Sequence, residues 1–519
     1  MTTSATGATT ADPVTSAVRV GARFRRGVAV DTTAVLVFAF AVRMAFVLAS
    51  KGGLRGNFGY DAGVYYASAD SFVYGRLPYH DFVLLHPPGI MLALSPFAVL
   101  GRLTTDHTGF VVADVAFVAV AAANAALVTA IARRLGLSRA ASLLGGLFYA
   151  VWFGAITAEV SARLEPLGNF AFLWALWLLV GRNGSRRRTV VLAGAVMGLA
   201  VCVKIWWIAV AVVVLAWLLR RGEPRRAAAF LAGLAASVVV VFGPFFLRAP
   251  TAMWHMVVSD QLGRNRQPLS LGRPARLTGL SASFPGKSHV VAGALAGVAA
   301  VLFVLMMILA WRVVRGRVVV LVFLTQLVVL MAAPTYFTYY SAFVAPSAAL
   351  LVALVASEHG SRLWPVRGGY LAGGVVAATA AVTAVVLVRG PVGLSDSFPA
   401  AQLRPAVANV RCVMTDSPTA LIELDVLSRD LSHGCPNYVD VSGRTYDADA
   451  SPPGRPYLSR PRNPKWQADL LRYLRSGQAA IVFRPLTGLS AKTRRTINRW
   501  PVLARAGGIT VRRPTGRPR

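Results

Sequence analysis

Charge is scarce in this chain, and acidic charge is scarcest. Only 14% of its 519 residues are Asp, Glu, Lys or Arg, where a soluble globular domain carries about 25%. The 21 acidic residues face 54 basic ones, a formal net charge of +33. An ordinary soluble enzyme is thereby excluded. Disorder is excluded too, because it needs low hydrophobicity and here the hydrophobic share is 55%. Cysteines number three. Cys202 lies in an apolar run and reads as inert; Cys412 and Cys435 lie in the polar C-terminal part, where an oxidising compartment would permit a disulfide. The sequence also lacks a P-loop, an H-E-x-x-H and a G-x-S-x-G in a setting that would give them meaning, which argues against an ATP-driven pump. No inverted repeat of the kind transporters show is evident.

What the chain does have is long apolar runs, and a mean hydropathy of +0.57. Runs of about 20 apolar residues are membrane spans. The expected fold is mainly α, a polytopic membrane protein of about eleven transmembrane helices with a small C-terminal α/β domain. Residues 1–27 read as a disordered cytoplasmic tail, 28–388 as the transmembrane domain and 389–519 as an extracytoplasmic domain. The spans fall at about 28–49, 109–132, 140–157, 166–181, two short ones within 189–220 that turn at Lys204, 227–247, 290–311, 318–333, 337–356 and 370–388. With the N-terminus inside, the clusters Arg133/Arg134/Arg139, Arg182/Arg186/Arg187/Arg188, Arg220/Arg221/Arg225/Arg226 and Arg312/Arg315/Arg317 all fall on the cytoplasmic side, as the positive-inside rule requires. That rule accounts for the basic excess better than nucleic-acid binding does. Residues 87–101 are short for a span, and as one they would reverse every later orientation; they read as a helix along the outer interface. The C-terminal part alternates strands (Val410–Thr415, Tyr438–Val441, Ala479–Phe483, Ile509–Arg512) with helices (Ser417–Leu431, Pro464–Arg475, Ser490–Arg499), the pattern of an α/β sandwich.

The chemistry-bearing residues gather in the segments expected outside. In the first outer loop, 50–108, Asp61 opens an amphipathic helix with Tyr65, Ala69 and Phe72 at helical spacing. A carboxylate there is stabilised in its ionised form and can take a proton from an acceptor hydroxyl; the bland alternative is a helix cap. Asp70 reads as a solvated residue of the same helix. His80, Asp81 and His86 are metal-compatible side chains without a metal-ligand spacing, so loop hydrogen bonding competes. Glu159, Arg163 and Glu165 crowd the outer end of a span, either facing a polar cavity with Asp61 or forming a solvated turn. Lys204, alone among apolar residues, either snorkels or holds a lipid-linked phosphate as a point charge. His255, Asp260, Gln261, Arg264 and Arg266 lie in a later polar loop, where Arg264 and Arg266 could clamp a phosphate or a sugar hydroxyl; a solvated connector is the alternative. Tyr336, Tyr339 and Tyr340 read as an aromatic belt or a sugar contact.

The order of these features, Asp61 then Tyr65, Gly75 to Tyr79 and Asp81, His86-Pro87-Pro88-Gly89, Arg163-Leu164-Glu165 and Lys204 between two short spans, resembles the GT-C class of membrane glycosyltransferases over about residues 28–356. The branch it is most similar to is that of the protein O-mannosyltransferases and the lipid A aminoarabinose transferases. The resemblance implies a polyprenyl-phosphate-linked sugar donor, a glycan, lipid or protein acceptor in the cell envelope, and transfer with inversion on the outer face. It implies Asp61 as general base, Lys204 and Arg264 on the departing phosphate, and Arg163, Glu165, Tyr65, Asp81, His86 and Tyr339 around the substrate. It leaves a divalent cation open, since members of the class differ in this. A composition rich in Ala, Val, Arg and Gly and poor in Lys fits a high-GC bacterium, for which a mannose- or arabinose-type sugar is expected.

The competing readings are a transporter or flippase of a lipid-linked or polar solute and a non-catalytic envelope scaffold. A transporter needs ionisable groups near the bilayer midplane; here they concentrate at the ends of spans. Sugar transfer requires Asp61 and Lys204 to share one cleft.

Overall fold

The computed structural model describes residues 13–57, 59–181, 186–264, 272–277, 289–357, 368–391, 395–446, 458–484 and 488–516. A helix stands at the place of every expected span. α1 runs Pro13–Ala49, α4 Asp106–Arg134, α5 Arg139–Val151, α6 Phe153–Glu159, α7 Leu164–Leu179, α8 Arg187–Val203, α9 Trp207–Arg220 and α10 Pro224–Arg248. Helices His289–Arg312, Arg317–Ala332, Ala345–Ala356 and Gly368–Arg389 follow. Five of the helical segments are each long and apolar enough to cross a bilayer, and the α5–α6 pair, bent by 55°, makes a sixth. Shorter apolar helices, among them α7 and α9, pack between them. The chain is a multi-pass membrane protein. α1 begins at Pro13, so the part of the expected tail that the structure describes is helical; residues 1–12 lie outside the described residues.

Arg43 and Glu159 pair inside this apolar bundle, as burial demands. Arg43 of α1 is wholly buried and its Nε donates to Glu159 at 3.0 Å. The Tyr149 hydroxyl donates to the same carboxylate at 2.5 Å, and Asn169 donates to that hydroxyl at 3.1 Å. Glu159 is therefore an internal clamp between α1, α5 and α6 and not a member of a solvated turn.

Two further helices lie between α1 and α4. α2, Tyr60–Val73, and α3, Gly89–Leu103, pack on each other and on α4. α3 covers the segment expected to be a helix, and its first residue explains its seat: a Cβ on Gly89 would lie 2.5 Å from the Cys202 carbonyl oxygen, so only glycine lets the start of α3 touch the end of α8.

The C-terminal domain is a four-stranded sheet flanked by helices. β1 (Gly56–Asn57) pairs with β2 (Asp396–Ser397), which ties the chain leaving the last long helix back to the start of the first loop. The sheet proper has the order β3-β4-β6-β5, from β3 Val413–Thr415, β4 Ala479–Val482, β5 Val502–Ala506 and β6 Ile509–Arg512, with β3 and β4 parallel and the other pairs antiparallel. Two expectations are corrected. Tyr438–Val441 is not a strand: the Asp440 carboxylate accepts a hydrogen bond from the Gly443 N–H at 2.7 Å, a local side-chain turn that competes with a sheet ladder. The expected helix over 417–431 is two, Pro418–Glu423 and Leu427–Ser432, parted at Asp425, which adopts φ 56. Cys412 and Cys435 are disulfide-bonded, pinning the start of β3 to the chain after the second of these helices.

The domain sits directly on α2. Thr419 donates to the Gly59 carbonyl at 3.4 Å, Arg76 donates to the Cys435 carbonyl at 2.7 Å, and Ser428 donates to Asp70 at 3.1 Å. Asp70 is fully buried under this contact, so it is not the solvated residue that helical periodicity suggests.

Candidate active site

A cavity of 330 Å³ opens where α2, the α6–α7 connection, the α8–α9 break and the C-terminal domain meet. Asp61, Tyr65, His86, Arg163, Glu165, Lys204, Arg264 and Tyr339 all line it. With Tyr340, nine of the side chains singled out in the sequence thus converge on one space, among them Asp61 and Tyr339, 278 residues apart.

Asp61 sits one residue into α2. The N-cap is Gly59, held at φ 97, and it makes no side-chain cap bond. Asp61 is thereby relieved of the capping role and its carboxylate faces the cavity, 35% exposed. The Tyr339 hydroxyl donates to its Oδ2 at 2.6 Å, and an Arg163 guanidinium nitrogen lies 4.0 Å from the same oxygen. Arg163 is itself stacked over the Tyr339 ring at 4.4 Å. The carboxylate is thus aimed by one hydroxyl and flanked by one cation, and it remains reachable.

Lys204 occupies the break between α8 and α9. Its backbone is extended (φ −147, ψ 120), so the helix stops and the side chain turns inward. The ammonium donates to Glu165 Oε1 at 2.7 Å and lies over the rings of Trp206 at 3.9 Å and Tyr340 at 4.2 Å. It does not snorkel: its side chain is 4% exposed. An ammonium has three N–H donors, and the Glu165 pair fixes the direction of the group without exhausting it. Glu165 is in turn buried, at the first turn of α7.

His86 lies between Tyr65, whose ring meets it edge-on at 5.6 Å, and the cationic side of the cavity. Burial first, then the Arg264 and Lys204 charges, holds its imidazole well below the ordinary histidine range, so it is neutral at physiological pH. Tyr79 donates to its backbone carbonyl at 2.8 Å. Asp81 is not in the cavity. It pairs with His80 at 2.6 Å and accepts from the Leu77 N–H at 2.6 Å, closing an exposed turn. His80 and Asp81 therefore point away from His86, and among the described residues no group of three His, Cys, Asp or Glu side chains could hold a metal ion. Of the later polar loop, Arg264 reaches the cavity and Gln261 donates to the Leu85 carbonyl; Arg266 lies outside the described residues.

The sequence reading missed one whole wall. Tyr60, Asp440, Ser442, Gly443, Tyr446, Arg460 and Arg484 also line the cavity, and all but Tyr60 come from the C-terminal domain. Tyr60 stands next to Asp61 and could have been noticed. Asp440 sits in an apolar stretch that reads as a strand, and nothing local marks it.

Beside the cavity runs an apolar groove of 490 Å³. Its lining includes Leu92 of α3, Phe170 and Trp174 of α7, and Leu199, Cys202 and Val203 of α8, so it ends at the residue before Lys204.

No protein-family model matches the chain, and no curated sequence matches it. Solved structures do. The crystal structure of ArnT from Cupriavidus metallidurans bound to undecaprenyl phosphate is 17% identical, with a TM-score of 0.55 over 93% of this chain and 98% of that one. The apo form of the same protein gives a TM-score of 0.56. The archaeal oligosaccharyltransferase AglB from Archaeoglobus fulgidus, in complex with an inhibitory peptide and a dolichol-phosphate, is 13% identical, with a TM-score of 0.51 over 87% of this chain and 69% of that one. Both are GT-C glycosyltransferases, and the fold of this chain is the GT-C fold.

Proposed function

We propose that this protein is a membrane glycosyltransferase that moves a sugar from a polyprenyl-phosphate donor to a hydroxyl of a cell-envelope acceptor on the outer face, with inversion. The observation that carries the proposal is the shared cavity: a reachable carboxylate, Asp61, and a buried, oriented ammonium, Lys204, line one space beside an apolar groove in a GT-C fold.

The prenyl chain lies in the groove and brings the phosphate to Lys204 and Arg264. Asp61 takes the proton of the acceptor hydroxyl as its oxygen attacks the anomeric carbon. The bond from that carbon to the phosphate oxygen breaks on the opposite face, and the phosphate leaves with the bonding pair. Charge therefore develops on the leaving oxygen, where a preorganised cation in a water-poor site is most effective. Tyr339 and Arg163 hold the Asp61 carboxylate in place, the first by a hydrogen bond and the second as a neighbouring cation. His86, neutral and next to the cations, can hydrogen-bond the phosphate or the sugar without adding charge. The carboxylate acts as a base, so the proposed sequence of bond changes is complete without a metal. The fold neighbours support the donor class: one is described as bound to undecaprenyl phosphate and another to a dolichol-phosphate. A mannose- or arabinose-type sugar is the first to try.

The test is in vitro transfer from a panel of polyprenyl-phosphate sugars, with lipid-linked sugars and envelope glycans compared in cells with and without the gene. Transfer that depends on Asp61 is the expected result. Unchanged glycans in cells carrying Asp61→Asn, with the protein present at its normal level, would sink the assignment. Net movement of the lipid-linked solute across a bilayer without any transfer would favour the flippase reading.

A further inference from the structure

The C-terminal domain is divided by charge. Residues 395–446, which include the two helices docked on α2, carry four Arg and no Lys against six carboxylates. Residues 458–516 carry thirteen Lys and Arg against one carboxylate, Asp469. A chain-wide preference for Arg would raise both halves alike, so the difference belongs to the two sides of the domain. Asp469 does not offset it. That carboxylate accepts from the Tyr438 hydroxyl at 2.8 Å and from Arg444 Nε at 2.9 Å, and the Arg472 guanidinium lies 3.6 Å away.

The pleat of the sheet sorts the two halves. Val413, Ile481 and Val511 belong to the apolar core that also holds Leu421 and Tyr65. Met414, Ala480 and Val482 point the other way and pack with Leu470, Leu474 and Ile497 of the helices Pro464–Ser476 and Ala491–Asn498. These helices are tied to each other: the Ser490 N–H donates to Gln467 Oε1 at 3.1 Å, and Gln467 Nε2 donates to the Gly488 carbonyl at 2.6 Å. They form one layer on the side of the sheet away from α2. Arg460 and Arg484 turn to the cavity, but Lys465, Arg472, Lys492, Arg495 and Arg499 are exposed on this layer and line no part of it. Among the described residues of the domain, Val502 is the one large apolar side chain that is strongly exposed. Protein interfaces need an apolar or aromatic centre, and this face has none. The sheet stands between the layer and the bundle, so the bilayer around the bundle is not its neighbour. Exposed guanidiniums and ammoniums spread over two helices suit a hydrated chain of phosphates or carboxylates.

We infer that the layer formed by Pro464–Ser476 and Ala491–Asn498 is a docking face for an anionic polysaccharide of the cell envelope, one with an acidic group in each repeat. It anchors the protein to that polymer and takes no part in the transfer reaction. The inference rests on the outward placement of the domain and goes beyond the chemistry of the cavity.

The experiment uses the full-length protein in phosphatidylcholine nanodiscs. Alginate is the acidic polysaccharide, dextran the neutral one, and phosphatidylglycerol vesicles the anionic surface. Alginate should bind and dextran should not, and alginate affinity should fall by about tenfold or more between about 50 and 200 mM salt, as counterion release requires. The variant Lys465→Gln/Arg472→Gln/Lys492→Gln/Arg495→Gln/Arg499→Gln should weaken alginate by about tenfold or more and flatten its salt dependence. Its thermal unfolding should be unchanged, since all five side chains are exposed. Arg187→Gln/Arg188→Gln/Arg220→Gln/Arg225→Gln/Arg312→Gln removes the same net charge from the clusters expected on the cytoplasmic side, and should leave alginate binding within about twofold of the natural protein. Equal weakening by the two variants would overturn the inference, because net charge alone would then be the attraction. Absence of alginate binding, or equal binding of dextran, would overturn it too. Tighter binding of the vesicles than of alginate would do the same and give the face to a lipid surface. Asp61→Asn should bind alginate as the natural protein does, so a failure of the sugar-transfer reading is seen separately from a failure of this one.

Discussion

In the proposed reaction two side chains carry the chemistry, and they differ in how a substitution should be felt. Asp61 is partly exposed and bonded to one hydroxyl, so Asp61→Asn keeps the size and the Tyr339 contact while removing the base. Transfer should fall by about 10²–10⁴-fold, the usual worth of a general base, with undecaprenyl phosphate binding and thermal unfolding little changed; a drop below tenfold would mean that another group takes the proton. Lys204 is different because it is half of a buried pair. Lys204→Met alone strands the Glu165 carboxylate and should cost stability on the order of 3–5 kcal/mol. The pair Lys204→Met/Glu165→Leu should regain most of that stability and none of the transfer activity. Recovery of both would reduce Lys204 to a packing role. Asp61 stood out in the sequence as the carboxylate that opens an amphipathic helix of the first outer loop, and Lys204 as a lone charge where apolar surroundings make charge expensive. Glu159 was legible as a charge but not as an internal clamp, because its partner Arg43 lies 116 residues away in an apolar run. Asp81 stood in a promising pattern, and only the Leu77 and His80 contacts show that it closes a turn.

At the scale of elements, the site depends on how α2 is pressed between the bundle and the C-terminal domain. A Cβ on Gly63 would lie 2.1 Å from Thr419 Oγ1 and 3.0 Å from the Thr419 Cα, so the helix Pro418–Glu423 rests on the bare backbone of α2. Gly63→Val should therefore lift the domain, lower the unfolding temperature and reduce transfer together. Gly63→Val/Thr419→Gly, which reopens the space, should recover part of both. Recovery of stability without activity would show that the domain contributes more than support to α2. Elements were the most legible level of this protein. Apolar length located a helix at the place of each expected span, five of them long enough to cross a bilayer and a sixth as a bent pair, and the break at Lys204 followed from a charge inside a run too long for one helix. The strand β5 was missed although its signal was present: Gly507 and Gly508, at φ 55 and φ 77, make the two-residue hairpin turn that leads into β6. The false strand at 438–441 and the missed wall of the cavity are one error, since the apolar pattern of Tyr438, Val439 and Val441 reports burial and says nothing of where Asp440 points.

The whole molecule is a bundle with a lid-like domain docked on it, and that docking should be pH-dependent. Contact between the two buries carboxyls from both sides. Asp70 of α2 is pushed up to about 8, by burial first and by the nearby Asp106 carboxylate second. Asp430 of the domain is pushed up to about 7, again mainly by burial. Asp70 and Asp106 converge on one residue, accepting from the Ser428 hydroxyl and N–H at 3.1 Å each. A carboxyl whose folded value lies above its ordinary value of 3.8 favours the fold in its protonated form. Its contribution is complete below the ordinary value and is lost progressively as pH rises toward the folded value. Stability should therefore decline between about pH 4 and pH 8 from this source. Asp70→Asn cannot ionise and can still accept the Ser428 hydroxyl. Its advantage over the natural protein in thermal unfolding should be small at pH 5, grow through neutrality and level off above pH 8. An advantage that does not change with pH would place Asp70 outside the interface. The Arg clusters predict an outward-facing domain, so reporter fusions at positions 80 and 400 should both report the outer face; a cytoplasmic signal at either would put the cavity, and with it the proposed donor, on the wrong side of the membrane.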